Sequence, residues 1–97
     1  MTYNIRFTDK ACDFLRAIPE KHKPAVLRKI RQCLGEYLKI NTHQCNKKLL
    51  KGSSPERYRL HIGMTYTLFY LIDEDSQMVI VTNAMGINQA HNRYNRF

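Results

Sequence analysis

A β-hairpin predicted between residues 47 and 73 constrains the fold of this chain more than any other stretch. Apolar and basic side chains alternate from Arg57 to Ile62, which is typical of a strand with one apolar and one basic face. Gly63 and Met64 follow, and glycine at the first central position favours a two-residue type II′ turn. The residues up to Ile72 are rich in β-branched and aromatic side chains and predict the return strand.

A two-residue turn also predicts the register of the hairpin. It places Thr65 opposite Ile62 and Tyr66 opposite His61, so that one face gathers six side chains: Arg57, Arg59, His61, Tyr66, Leu68 and Tyr70. Cations, an imidazole and phenols on one sheet face suit a phosphodiester ligand. A solvated face with extended charged side chains explains the pattern alone equally well.

The charge of the chain favours a polyanionic partner. Its 16 Lys and Arg residues outnumber its 8 Asp and Glu residues, which gives a formal net charge of +8. Such an excess is typical of nucleic-acid binding, although a basic protein can also bind an acidic one. The cations that cluster in and before the hairpin are the candidate RNA-binding residues: Lys47, Lys48, Lys51 and Arg57.

The cysteines and the lack of long apolar runs predict a cytoplasmic protein with reduced thiols. Three cysteines are an odd number, and their spacing matches no metal site. Cys12 and Cys33 lie in helical patterns and are expected to be packing residues. His43 and Cys45 are only two potential ligands, so we expect no metal. No signal peptide and no membrane-spanning run is evident.

The 97 residues predict one α+β domain over residues 1–97, with two layers. Periodicity and capping signals predict the other elements: a strand at Thr2–Phe7, a helix between Thr8 and Pro19, a helix from Pro24 to Leu38, a strand at Met78–Met85 and a short C-terminal helix at Gln89–Arg96. The order is β-α-α-β-β-β-α. We expect a mostly antiparallel sheet with two helices packed on one face and an open, basic opposite face.

Five short motifs, in this order and spacing, resemble those of the RelE/ParE superfamily of toxins from type II toxin–antitoxin systems. They are Y-x-I-x-F-T from residue 3, A-x-x-F-L-x-x-I-P from residue 11, K-K-L-x-K-G from residue 47, Y-R-L-H-I-G from residue 58 and L-F-Y-L-I-D from residue 68. The resemblance covers nearly the whole chain and implies the same order of elements. It also implies an acidic antitoxin as partner and no cofactor.

The resemblance carries over to only some of the site residues. It implies that Arg59 and His61 occupy basic positions of the family, and that Tyr94 matches a tyrosine near the C-terminus of several RelE-like nucleases. The family places arginines at two positions that this chain fills otherwise: Tyr66 or Thr67, and Asn88. His91 and Arg93 of the last helix are candidates to replace them in RNA binding.

Three functions follow from the resemblance. The first is a metal-independent endoribonuclease that cleaves mRNA at the ribosomal A site, in which His61 serves as base or acid and Arg59 holds the phosphate. Tyr66 and Tyr94 would stack on a base or relay a proton. The second is a ParE-like, non-enzymatic inhibitor of DNA gyrase. The third is a degenerate toxin that acts only as an antitoxin-binding regulator.

Overall fold

A computed structural model describes residues 3–39, 45–50, 52, 56–63 and 65–86 of the chain. The elements in chain order are β1 (Asn4–Phe7), α1 (Asp9–Ala17), α2 (Lys23–Ile30), a π-helix (Arg31–Glu36), β2 (Asn46–Leu50), β3 (Arg57–Ile62), β4 (Tyr66–Asp73) and β5 (Met78–Gly86). The predicted C-terminal helix, with His91, Arg93 and Tyr94, lies outside the described residues, as do Lys51 and Asn88.

The strands form one mixed sheet in the order β1-β5-β4-β3-β2. β1 runs parallel to β5, and the other neighbours are antiparallel. The helices pack on one face of this sheet, where their apolar residues form a common core with the strands. The predicted α+β architecture is therefore confirmed. No helix in the described part of the chain is long and apolar enough to cross a lipid bilayer.

β2 is a fifth strand that the sequence analysis did not predict. It pairs antiparallel with β3 and forms an edge of the sheet. Its sequence, NKKLL, does not alternate between apolar and polar residues, because two lysines are followed by two leucines. Lys48 and Leu49 are both exposed. A short, lysine-bearing strand is typical of a protected sheet edge. Only its pairing with β3 makes this stretch a strand, so the order of the described elements is β-α-α-β-β-β-β.

The first helix begins and ends as predicted. Thr8 has an extended backbone, and its hydroxyl accepts the Ala11 N–H at 3.3 Å, as an N-cap residue does. The same hydroxyl donates to the carbonyl of Thr82 at 2.8 Å, which fixes α1 against β5. The helix ends at Ala17, two residues before Pro19.

The second predicted helix is α-helical only as far as Ile30 and continues as a π-helix to Glu36. Its last turn is closed by a bond from the Tyr37 N–H to the Gln32 carbonyl, five residues back, at 2.9 Å. The π-helix buries three consecutive residues, Cys33, Leu34 and Gly35. In an α-helix of 3.6 residues per turn, three consecutive side chains spread over more than half of the circumference, so one of them points away from the core. A π-helix has more residues per turn, so the three side chains lie closer to one face.

A disulfide bond joins Cys33 of the π-helix to Cys45, the residue before β2. The prediction of reduced thiols with Cys33 as a packing residue is therefore wrong for this pair. The two cysteines are 12 residues apart in sequence, yet their Cα atoms are 5.5 Å apart, which is within bridging range. Only the folding of β2 onto β3 brings Cys45 to the helix. Among the described residues, Cys12 is a free thiol.

Candidate functional site

The loop between β3 and β4 determines which side chains share the face opposite the helices. Ile62 pairs with Tyr66, so the loop has three residues rather than the predicted two, and His61 pairs with Thr67 instead of Tyr66. Gly63 does adopt the positive φ that was expected, at 59°. A one-residue change of register turns every side chain of the return strand to the other face.

The predicted grouping of tyrosines with the cations is therefore wrong. Tyr66, Leu68 and Tyr70 face the helices, and Tyr70 is buried in the core, where burial raises the pKa of its phenol. Thr67, Phe69 and Leu71 take their places beside the cations.

Four basic residues of β2 and β3 lie together on the face opposite the helices, and we call this surface the basic face: Lys48, Arg57, Arg59 and His61. Lys48 pairs directly with Arg59 across the two strands. Lys48 is exposed, and the other three are half-buried. Two cations on paired strands, with an imidazole on the same face, are what an anionic phosphate requires.

The basic face also contains an apolar cluster that the sequence analysis did not predict. Leu50, Phe69 and Met85 are 8%, 0% and 5% exposed and pack together, and the half-buried Phe14 of α1 packs against them. Their position follows from the pairing of Leu50 with Arg57, Phe69 with Arg59 and Met85 with Thr67. The face that was predicted to be open and basic therefore carries basic side chains on β2 and β3 and an apolar cluster contributed by β2, β4 and β5.

Arg59 is held by the neighbouring strand β2. Its Nη1 donates to the side-chain Oδ1 of Asn46 at 3.1 Å and to the Asn46 carbonyl at 3.4 Å. Both contacts use the same guanidinium nitrogen. The guanidinium is planar and carries five N–H donors, so this anchoring orients the others.

His61 makes a short hydrogen bond across the hairpin. Its Nδ1 lies 2.6 Å from the hydroxyl Oγ1 of Thr67, its partner on β4. Thr67 is 0% exposed, so this hydroxyl belongs to the interior of the sheet. The imidazole is thus fixed at one of its two nitrogens.

Arg57 reaches across β4 to β5. Its Nη1 donates to the hydroxyl of Thr82 at 3.1 Å, and that hydroxyl donates to the Phe69 carbonyl at 3.3 Å. Thr82 lies where the β4–β5 register shifts, since Phe69 pairs with Asn83 but Tyr70 pairs with Val81. A bulge of this kind re-aims a side chain, and here it gives Arg57 an acceptor.

Tyr66 lies away from the basic face. Its hydroxyl is 3.4 Å from Nδ1 of His22, and its ring meets that of Phe14 edge-on at 6.0 Å. Both partners belong to the helical layer, so Tyr66 connects the sheet to the helices rather than joining Arg59 and His61.

Lys47 also differs from its predicted place. Its Nζ donates to the main-chain carbonyls of Cys33 at 3.1 Å and Leu38 at 2.8 Å, and to the carbonyl of Tyr37. These carbonyls lie in and just after the π-helix, where a helix lacks internal donors. Partial burial lowers the pKa of Lys47. Lys47 therefore closes a helix on the opposite side of the sheet from Lys48.

Three polar residues that were not predicted from the sequence hold the basic face in place: Asn46, Thr67 and Thr82. A loop one residue longer would have predicted Thr67 beside His61. Asn46 and Thr82 carried no such signal, because an unpredicted strand and a bulge position them. Among the residues that the structure describes, no group of three potential ligands could hold a metal ion.

No protein-family model matches the sequence, and no curated protein is similar to it. The fold, by contrast, matches solved structures. The RelBE2 toxin–antitoxin complex from Mycobacterium tuberculosis matches with a TM-score of 0.73 and 23% identity, over 89% of this chain and 99% of that chain. The archaeal RelE–RelB complex from Pyrococcus horikoshii OT3 matches with a TM-score of 0.70 and 18% identity, over 89% and 96%.

The isolated RelE toxin from E. coli covers more of the chain. It matches with a TM-score of 0.64 and 14% identity, over 98% of this chain and 99% of that chain. Each match spans nearly the full length of the known chain. This chain therefore has the fold of the RelE toxins.

Proposed function

We propose that this protein is the toxin of a type II toxin–antitoxin pair and that it cleaves mRNA on the ribosome. The observation that carries the proposal is the placement of Arg59 and His61 beside Lys48 on one face of a RelE-like fold. Three of the similar structures are RelE–RelB or RelBE complexes. This chain has a net charge of +8, so an acidic antitoxin is the partner of complementary charge.

The chemistry proposed for this face is attack of the ribose 2′-hydroxyl on the adjacent phosphorus. Such a step needs proton transfer and a cation that stabilises the phosphorane. Arg59 can hold two phosphate oxygens with parallel hydrogen bonds, because Asn46 engages only one of its nitrogens among the described residues. His61 supplies the proton-transfer group and needs no metal or cofactor.

The remaining predicted residues enter the proposal in different ways. Lys48 and Arg57 contribute positive charge for the RNA backbone. Tyr66 is bonded to the helical layer and is left out of the chemistry. Tyr94, His91, Arg93 and Lys51 remain predictions from the sequence: Tyr94 as a stacking or proton-relaying group, and the three cations as further RNA contacts.

Single-turnover cleavage of mRNA on programmed ribosomes tests the proposal. We expect His61→Gln to slow cleavage about a hundred- to ten-thousand-fold and to leave ribosome binding nearly unchanged. Arg59→Ala should weaken binding and cleavage together, because a phosphate ligand acts in the ground state and the transition state alike. His22→Gln is the matched control, since His22 lies on the helical side. Cleavage by His61→Gln at the parent rate would contradict the proposal.

One observation favours the ParE-like alternative. The arginine that the resemblance implies at Tyr66 or Thr67 is absent, and Thr67 is the residue that pairs with His61 on β4. A face with fewer cations suits binding better than phosphoryl chemistry. DNA supercoiling by gyrase, measured beside toeprinting on ribosomes with the same protein, separates the two targets. A degenerate toxin that only binds its antitoxin would be inactive in both assays.

A further inference from the structure

A cleft of about 130 Å³ opens at the β2 edge of the sheet, and the proposed cleavage chemistry does not use it. Its lining includes Leu49 of β2, Tyr58 of β3, Tyr70 of β4 and Leu38, which follows the π-helix. Leu49 pairs with Tyr58, and Tyr58 pairs with Tyr70. These three side chains therefore form one row across the strands, on the face that carries the helices.

The half-buried ring of Tyr58 forms one wall of this cleft. One face of the ring stacks on the buried Tyr70, with the ring centroids 5.3 Å apart and an interplanar angle of 17°. Neighbouring strands are about 4.8 Å apart, so the stack follows the row of paired residues and the second face of Tyr58 is directed towards Leu49. Leucine is shorter than tyrosine and Leu49 is 39% exposed, so the outer part of the ring extends past it into the cleft.

We propose that the cleft binds one base of a single-stranded RNA, stacked on the second face of the Tyr58 ring. The inference rests on the proposed function and adds an RNA contact outside the basic face. A base bound there extends the Tyr58–Tyr70 stack by one ring, and Tyr70 holds the Tyr58 ring in place before the base arrives. Stacking on an aromatic side chain accepts any base, because every base has a flat π face. Leu38 and Leu49 add apolar surface beside the stacked base.

Lys48 connects the cleft to the basic face. It borders the cleft at the sheet edge, and it pairs with Arg59 across the two strands. Lys39 also borders the cleft, but its ammonium is bound to Glu74, whereas Lys48 is exposed and has no ion pair among the described residues. An RNA strand with a phosphate at Lys48 can therefore place the neighbouring base around the edge on Tyr58. An acidic peptide would satisfy the charge, but its carboxylates have no ring to stack there.

Fluorescence anisotropy with fluorescein-labelled hexaadenylate measures the contribution of the ring to RNA affinity. Tyr58→Leu removes the ring, whereas Tyr58→Phe keeps it. We expect Tyr58→Leu to weaken binding about five- to 150-fold and Tyr58→Phe to stay within about twofold of the parent. Tyr37→Leu is the matched control, because Tyr37 is an exposed tyrosine outside the cleft and its loss should leave the affinity unchanged. Parent affinity in Tyr58→Leu would overturn the inference.

The proton NMR spectrum of the parent protein is a second readout, which does not require Tyr58→Leu to fold. A stacked adenine shields the ring protons of Tyr58, so hexaadenylate should shift them upfield, whereas hexaglutamate should not. The absence of a shift with hexaadenylate would overturn the inference. The same shift with hexaglutamate would also overturn it and assign the cleft to an acidic protein segment. Cleavage of mRNA on programmed ribosomes decides the proposed function separately, so a parent that cleaves mRNA without this shift loses only the base site.

Discussion

At the scale of single residues, the neighbours Lys47 and Lys48 have opposite roles. They are adjacent on an edge strand, so their side chains point to opposite faces of the sheet. Lys47 donates to carbonyls in and after the π-helix, whereas Lys48 is exposed on the basic face beside Arg59. Lys47 therefore stabilises the fold, and Lys48 contributes to the proposed ligand surface.

Replacing each lysine with methionine should separate these roles, because methionine keeps most of the apolar stem and loses the ammonium. We expect Lys47→Met to lower the free energy of unfolding by about 1–3 kcal/mol, since the carbonyls at the end of the π-helix lose their donor. Lys48→Met should change it by less than about 0.5 kcal/mol. Urea denaturation followed by circular dichroism measures both. Equal effects of the two variants would contradict this assignment.

A hydrogen-bonded group at the opposite end of β1 from the N-cap Thr8 joins the exposed ion pair of Lys39 and Glu74 to the half-buried Tyr3. Glu74 accepts from the Tyr3 hydroxyl at 2.7 Å and from the Lys39 ammonium. The bond to Lys39 is the main cause of a lowered pKa for the Glu74 carboxyl, and the bond to Tyr3 adds to it. Exposed pairs of this kind contribute little to stability. The group fixes the β4–β5 turn beside β1 rather than adding to the basic face.

At the scale of elements, the disulfide fastens β2 to the helical layer. Cys33 lies in the π-helix, and Cys45 precedes Asn46, the residue that holds Arg59. Lys47 reaches the same π-helix two residues further along the chain. The Cys33–Cys45 disulfide and the Lys47 ammonium thus hold the edge strand β2 in position. β3, which pairs with β2, carries most of the basic face.

We expect removal of the disulfide to lower the free energy of unfolding by about 3 kcal/mol, the loop-closure value for a span of 12 residues. The measurement compares urea denaturation with and without dithiothreitol. Cys12→Ser is the control, because it removes the described free thiol and should leave the effect of the reductant unchanged. Cys33 and Cys45 are buried, so the thiols are titrated in urea without reductant. One reactive group is expected, and three would contradict the bond.

At the scale of the whole molecule, the net charge of +8 predicts that RNA affinity falls with salt. Each single-strand phosphate contacted contributes about 0.7 to the log–log slope of affinity against salt concentration. Lys48→Ala should therefore reduce the slope by about 0.7, whereas Lys47→Met should leave it unchanged. Fluorescence anisotropy with a labelled single-stranded RNA at several salt concentrations measures the slopes. A slope that Lys48→Ala does not alter would remove Lys48 from the RNA surface.

Local signals in the sequence were sufficient for most of the architecture. The N-cap at Thr8, the stop at Pro19 and the alternation from Arg57 to Ile62 each reflect a preference of a few adjacent residues. Such preferences act within one turn or one strand, so the sequence expresses them directly. The α+β class, the two helices on one sheet face and the placement of Arg59 and His61 on one strand face follow from them.

The tertiary structure decided what depends on partners distant in the sequence. β2 is a strand because β3 pairs with it, and the disulfide forms because β2 returns to the π-helix. The three-residue loop moved Tyr66 to the helical layer and brought Thr67 to His61. By itself, the sequence determined which residues could form strands and helices and which of them carry charge. Only the packed sheet decided their neighbours, because one residue of register reverses every side chain of a strand, and no local preference records that choice.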